Sequence, residues 1–195
     1  MPKIDKNEYE NASATGGEYQ RMTAGGYVCR IQAVRTKGTD YYGKEIDYVT
    51  EKQYVKLIWD VAEGDFAGKF SDDYWTGEDK DWGHQVYMSW KNMGALKNAI
   101  TCLEDSNPGF DAMAAFEADK WELFIGKQIG LVLGEEEYLG NDGTVRTRFG
   151  FPRIKSVQDI RDGKYKVPPL KKLEGEQAAP STAGSSDDAY SDVPF

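Results

Sequence analysis

From Tyr27 onward the chain alternates. Tyr27, Cys29, Ile31 and Ala33 fall on one side, and Val28, Arg30, Gln32 and Val34 on the other, the period of a half-buried strand. A polar loop holding Gly38 and Gly43 leads to a second strand, predicted over 48–61. There Val55, Leu57, Trp59 and Val61 point inward, while Tyr54, Lys56, Ile58 and Asp60 point outward. Glu63-Gly64-Asp65 reads as a tight turn into a third strand over 66–75. Residues 75–87 are acidic, contain glycine and lack a period, which predicts an inserted loop.

Ser89 suits the N-cap of a helix over 90–104, because Trp90, Met93, Leu96, Ala99, Ile100 and Leu103 recur at helical spacing. Asn107-Pro108-Gly109 breaks it, and Phe110, Met113, Phe116, Trp121 and Phe124 suggest a second helical segment. Gly126 precedes a strand with Ile129, Leu131 and Leu133 inward. Asn141-Asp142-Gly143 is a hairpin turn. The last strand, over 144–155, places Val145, Thr147, Phe149 and Phe151 on one face and Arg146 and Arg148 on the other. Three strands, a helical segment and two strands is the element order of the OB-fold, a five-stranded barrel with a helix between its third and fourth strands. The expected fold class is mainly β with a helical insertion, an OB-fold-like five-stranded barrel. A split sheet with helices on one face gives the same order.

With 195 residues, 39% of them hydrophobic, the chain has material for one packed domain. Residues 1–22 are polar and turn-forming, so a mobile arm is expected there, with the domain over 23–173 and a disordered linker and tip over 174–195. Cys29 and Cys102 occupy predicted core positions and read as buried small hydrophobes, neither a disulfide nor a metal site. No apolar run approaches about 18 residues, and Met1-Pro2-Lys3-Ile4-Asp5 lacks a signal-peptide segment. A cytoplasmic protein without membrane contact is expected.

The net charge of −9 argues against a nucleic-acid partner until its distribution is considered. Residues 175–195 contain four acids (Glu176, Asp187, Asp188, Asp192) and no base. Residues 60–82 hold eight acids against two lysines, whereas 141–173 hold nine bases against three acids. Local potential decides where a polyanion binds.

The stretch 174–186 is built from Ala, Pro, Ser, Thr, Gly, Gln and Glu, and the chain closes with Asp187-Asp188-Ala189-Tyr190-Ser191-Asp192-Val193-Pro194-Phe195. Such a segment buries too little apolar surface to offset its ordering entropy. A tether of about 20 residues reaches roughly 25 Å. Pro194 limits the freedom lost on docking, and Phe195 offers an aromatic anchor beside acids suited to a basic-rimmed pocket. A solubilising acidic tail is the plainer reading, although solubility does not call for Val-Pro-Phe. The ending resembles the C-terminal tail of bacterial and phage single-stranded-DNA-binding proteins. The resemblance covers about nine residues and implies that Asp187, Asp188, Asp192, Val193, Pro194 and Phe195 dock replication, recombination or repair proteins. It also implies a non-catalytic body that coats single-stranded DNA, acting in a bacterial cytoplasm if the protein is phage-encoded. It carries over no oligomeric state, and a homo-oligomer stays open.

The residues themselves offer a matching constellation. Arg30, Tyr54, Lys56, Arg146 and Arg148 face away from the predicted core, and Lys37, Tyr41, Tyr42, Lys44 and Tyr48 lie in or beside the first loop. Arg153 belongs to the same basic window as Arg146 and Arg148. Cations neutralise phosphates, and rings stack on unpaired bases at about 1–3 kcal/mol each. Tyr and Arg are also favoured on strand faces by propensity and solubility alone. Trp59, Phe149 and Phe151 read as core, and the acidic neighbours of Trp75, Trp82 and Tyr87 argue against base stacking there.

Other chemistry finds little footing. The single histidine, His84, has no zinc-ligand spacing. No phosphate-cradling glycine loop and no nucleophile elbow is present. Asp72, Asp73, Glu78, Asp79 and Asp81 could hold Mg²⁺ in a nuclease, but a solvated acidic loop explains them better. No cofactor and no catalysis are expected. The other open classes are an OB-like adaptor without DNA binding of its own, and a metal-dependent nuclease or annealing enzyme.

Overall fold

The computed structural model describes residues 21–39, 42–71 and 84–173. Its frame is a curled five-stranded antiparallel sheet, a half-barrel. Strand β1 (Gly25–Arg35) is central. It pairs with β4 (Tyr54–Val61), which pairs with β5 (Gln85–Ser89). On its other side β1 pairs with β6 (Gln128–Leu133), which pairs with β9 (Arg153–Lys155). Two hairpins stand apart from this sheet: β2 (Lys37–Thr39) with β3 (Glu45–Asp47), and β7 (Glu135–Leu139) with β8 (Val145–Phe149). Helix α1 (Met93–Ser106), helix α2 (Ala112–Glu117) and a 3₁₀ turn (Trp121–Phe124) link β5 to β6, and α3 (Val157–Arg161) follows β9. No helix among the described residues is long and apolar enough to cross a membrane.

The main core lies between the inner face of the sheet and α1, α2 and the 3₁₀ turn. Cys29, Ile31, Val55, Leu57, Trp59, Val61, Ile129, Leu131 and Leu133 supply the sheet side. Leu96, Ala99, Ile100, Leu103 and Phe124 close it. Both cysteines are free and buried. Asn107 ties the end of α1 to β6: its side-chain amide donates to the carbonyls of Leu103 (2.7 Å) and Gln128 (2.8 Å), and its oxygen accepts from the Gln128 amide (2.8 Å). A smaller cluster of Val28, Val132, Val157 and Ile160 seats α3 on the outer face. Gly130 makes that seat possible, because a Cβ there would lie 2.6 Å from the Ser156 carbonyl and 2.7 Å from Ile160.

Several expectations are corrected. The first strand carries a bulge between Ile31 and Ala33, so Val34 packs against the core where Ala33 was expected. Residues 48–52 form a π-helical turn, not the start of the second strand, with Asp47 capping the amides of Val49 and Thr50 at 3.0 Å. Ile58 and Asp60, assigned outward, are buried. Asp60 accepts from the Phe70 amide (2.9 Å) and thereby pins the segment after β4. That segment, 64–70, is a run of turns with Gly64 and Gly68 at positive φ, so the described part of the expected strand 66–75 is not a strand. The third strand is β5, which takes up the end of the expected loop and the expected N-cap, with Val86 and Met88 alternating with Gln85, Tyr87 and Ser89.

Ser89 therefore belongs to β5, and Asn92 caps α1 by accepting from the Ala95 amide at 3.1 Å. The expected last strand splits at 150–152, where Pro152 cannot donate to a ladder, so β8 joins the hairpin and β9 the main sheet. Met22, assigned to the N-terminal arm, is buried in the core. Residues 1–20 and the linker and tip over 174–195 lie outside the described residues.

His84 is buried, its ring stacked on Phe70 at 4.6 Å, and burial lowers its pKa to about 4. With a folded-state pKa below the unfolded value of about 6.5, its contribution is complete above that value and lost as pH falls toward 4. Urea midpoints of the wild type should drop between pH 6.5 and 5, a loss rising toward about 3 kcal/mol by pH 4. A flatter profile for His84→Phe is expected over the same window; parallel profiles would refute the assignment. Gly130→Ala should cost about 1–3 kcal/mol in the same assay.

Candidate nucleic-acid interface

The register brings one row of side chains together on the outer face. Arg35 lies opposite Lys56, and Lys56 opposite Tyr87. Tyr54, two residues from Lys56 on the same face, meets the Tyr87 ring edge-on at 4.9 Å and stacks on Tyr48 at 5.2 Å. Phe151 leans on Tyr87 at 5.6 Å and is 61% exposed. The row thus runs Tyr48, Tyr54, Tyr87, Phe151, with the Lys56 ammonium 4.6 Å above the Tyr48 ring.

Hairpin β2–β3, between β1 and β4 in the chain, contributes Lys37, Tyr42 and Lys44, all exposed. Tyr48 fastens this hairpin. Its amide donates to the Thr36 carbonyl at 2.8 Å, and its hydroxyl fills the space where a Cβ on Gly38 would sit. At 6% exposure Tyr48 is a support, which corrects its assignment as a contact residue. Asp47, beside Lys37, is held below the usual carboxylate range first by the Thr50 amide.

Hairpin β7–β8 carries the two arginines, Arg146 opposite Tyr138 and Arg148 opposite Glu136. Both are exposed and both are engaged. The Arg146 guanidinium donates to Asp142 (2.6 Å) and Thr144 (3.2 Å). Arg148 donates to Glu136 (2.8 Å), its guanidinium 5.3 Å over the Tyr138 ring. Asp142 is lowered to about 2, mainly by the hydroxyl and amide of Thr144 and then by Arg146, so it stays charged at any ordinary pH. A phosphate reaching these arginines competes with two carboxylates already in place. Arg21 braces the hairpin through the Thr147 carbonyl (3.0 Å) and hydroxyl (2.8 Å).

Of the residues expected from sequence, Tyr54 and Lys56 join the row, and Lys37, Tyr42, Lys44, Arg146 and Arg148 sit on the two hairpins. Arg30 is exposed on β1 opposite Asp60, away from Tyr54 and Tyr87 along the strand. Arg153 lies on β9, at the other edge of the sheet order from β5. Tyr41 and the tip residues Asp187, Asp188, Asp192, Val193, Pro194 and Phe195 are outside the described residues, as are Asp72, Asp73, Glu78, Asp79 and Asp81. Phe151 was assigned to the core and proves exposed. The sequence carries no signal for Arg35 and Tyr138, and the acidic neighbours of Tyr87 mask it; the alternation of Val86 and Met88 is the signal that places Tyr87 on a strand face. Among the described residues no group of His, Cys, Asp and Glu could hold a metal ion.

The sequence matches no protein-family model and none of the curated proteins.

The two ends of the row should respond differently to truncation. Phe151→Ala should change stability by less than about 1 kcal/mol, whereas Tyr48→Ala should cost about 3 kcal/mol. Urea unfolding measures both, and equal losses would place Phe151 in the fold and not on its surface.

Proposed function

We propose that the protein binds single-stranded DNA through this face and leaves it chemically unchanged. The observation that carries the reading is the row of Lys56, Tyr54, Tyr87 and Phe151, built on β4 and β5, the two strands that one hairpin precedes and the other follows in the chain. Counting only strands of the main sheet, the spatial order is third, second, first, fourth, fifth, with α1 between the third and fourth. That order supports reading the half-barrel as an OB-fold barrel opened between its third and fifth strands. OB-folds bind oligonucleotides on the face of strands two and three, between the loops that follow strands one and four. On this reading β4 and β5 correspond to those strands and the two hairpins to those loops.

The chemistry agrees with the position. Rings accept any unpaired base by stacking, so recognition needs no sequence code, and a duplex offers no free base face. The lysines and arginines supply the phosphate contacts that make such binding salt-dependent. The acidic ending with Val193, Pro194 and Phe195 supports a second part to the role, recruitment of replication, recombination or repair proteins. A phage-encoded protein working in a bacterial cytoplasm is the setting in which both parts fit.

Intrinsic fluorescence during titration with oligo(dT), at several salt concentrations and against duplex, tests this. Saturable quenching is expected, weaker with duplex and falling with salt, with the strand intact after incubation with Mg²⁺. Arg146→Ala with Arg148→Ala should lower the salt slope by about 1.4, or roughly 0.7 per lost contact. No response to oligo(dT), confirmed by gel shift, would overturn the reading in favour of an adaptor; a shortened strand would favour a nuclease.

A further inference from the structure

On the helical side of the core, remote in sequence from either hairpin arginine, an open apolar groove of about 460 Å³ lies between α1, α2 and the 3₁₀ turn. Trp90, Phe116 and Trp121 form its aromatic wall, with the two indoles parallel at 6.4 Å and Phe116 edge-on to both. Met93 and Met113 stand at its mouth, 68% and 41% exposed. Glu117 and Asp119 line it, and residues 104–122 carry six acids (Glu104, Asp105, Asp111, Glu117, Asp119, Glu122) against one base, Lys120. An anionic strand is repelled here. The surface instead suits a cationic, apolar chain.

The same molecule presents such a chain elsewhere. Residues 164–173 read Lys-Tyr-Lys-Val-Pro-Pro-Leu-Lys-Lys-Leu, with four lysines and no acid. Val167 and Leu170 are exposed there, as are all four lysines. The segment has no helix, yet it is fixed from behind. Pro168 abuts Gly134, and Tyr165 covers Gly26. Lys171 bonds to β7 through its amide to the Glu135 carbonyl (3.0 Å) and its carbonyl to the Glu137 amide (2.9 Å). Pro168 and Pro169 hold φ near −65°, and an extended proline-rich chain of three residues per turn puts Val167 and Leu170 on one side. Aromatic-lined grooves take proline-rich segments of this kind, because little freedom remains to be lost.

We propose that the groove of one copy receives the Lys164–Leu173 segment of a second copy, with Val167 and Leu170 seated against the methionines and indoles and the lysines facing the acidic rim. None of residues 164–173 lines the groove of its own chain, so the pairing is between copies. The two surfaces differ, so the contact is head-to-tail and propagates along a row of molecules. The inference does not depend on the nucleic-acid reading.

Sedimentation velocity of the full chain without DNA, over a wide concentration range at low and high salt, tests it. Mass should rise with concentration and association should weaken with salt. Lys166→Glu with Lys172→Glu, or Glu117→Lys with Asp119→Asn, should each weaken association about tenfold or more. Mixing the two variants should restore it, since each then offers the charge the other lacks; a variant that failed to fold could not be rescued this way. Leu170→Ser should weaken association at high salt as well. A wild type that stays monomeric, or an oligomer indifferent to all these changes, would overturn the proposal.

Discussion

Everything in the fold depends on how β1 shares its two edges. Its first part, Gly25–Arg30, pairs with β6, and its second part, Cys29–Arg35, pairs with β4. Only Cys29 and Arg30 pair on both sides. Beyond them Ile31 closes the β6 edge by bonding to Lys127 and Gly126 at 2.9 and 2.8 Å. A strand handed from one neighbour to the other in this way forces the sheet to curl. The curl gives the core a concave wall for α1 to close. The bulge after Ile31 then turns Val34 inward and sets Arg35 opposite Lys56, so one extra residue serves both the core and the candidate face.

Where a segment has one buried face and one wet face over six or more residues, its pattern names it. This holds for β1 before its bulge and for α1, while β4 and β6 are named by their apolar runs although both of their faces are largely buried. The hairpin turn at Asn141-Asp142-Gly143 was equally plain, because Gly143 adopts a positive φ that few other residues tolerate. What sequence hid was short or conditional. β5 has five residues and two buried side chains, too few to stand out beside an acidic run. α3 has five residues and is held by Gly130 and Ser106, which donates no helical signal of its own. Whether 145–155 forms one strand or two depends on which partners the ladder finds.

The candidate site was legible to the same degree and for the same reasons. The hairpin arginines were visible because a turn placed them. Tyr48 was misjudged because its burial depends on Gly38, ten residues away and lacking a side chain. Phe151 was misjudged because its exposure follows from the break at Pro152. Charge gave least guidance of all. Arg146 and Arg148 look like bare cations in a basic window, yet each is paired with a carboxylate of its own hairpin, and the local excess of positive charge overstates what a phosphate would meet.

The bond between residues 171 and β7 has a mechanical side. Lys171 runs parallel to Glu136, and Leu173 donates its amide to the Glu137 side chain at 3.0 Å. A pull on the chain beyond Leu173 along the axis of β7 does not peel one bond after another. It loads the amide and carbonyl of Lys171 together, in shear, against the strand whose Glu136 holds Arg148. A load carried by the chain beyond Leu173 in that direction is thereby passed to the hairpin that presents Arg146 and Arg148.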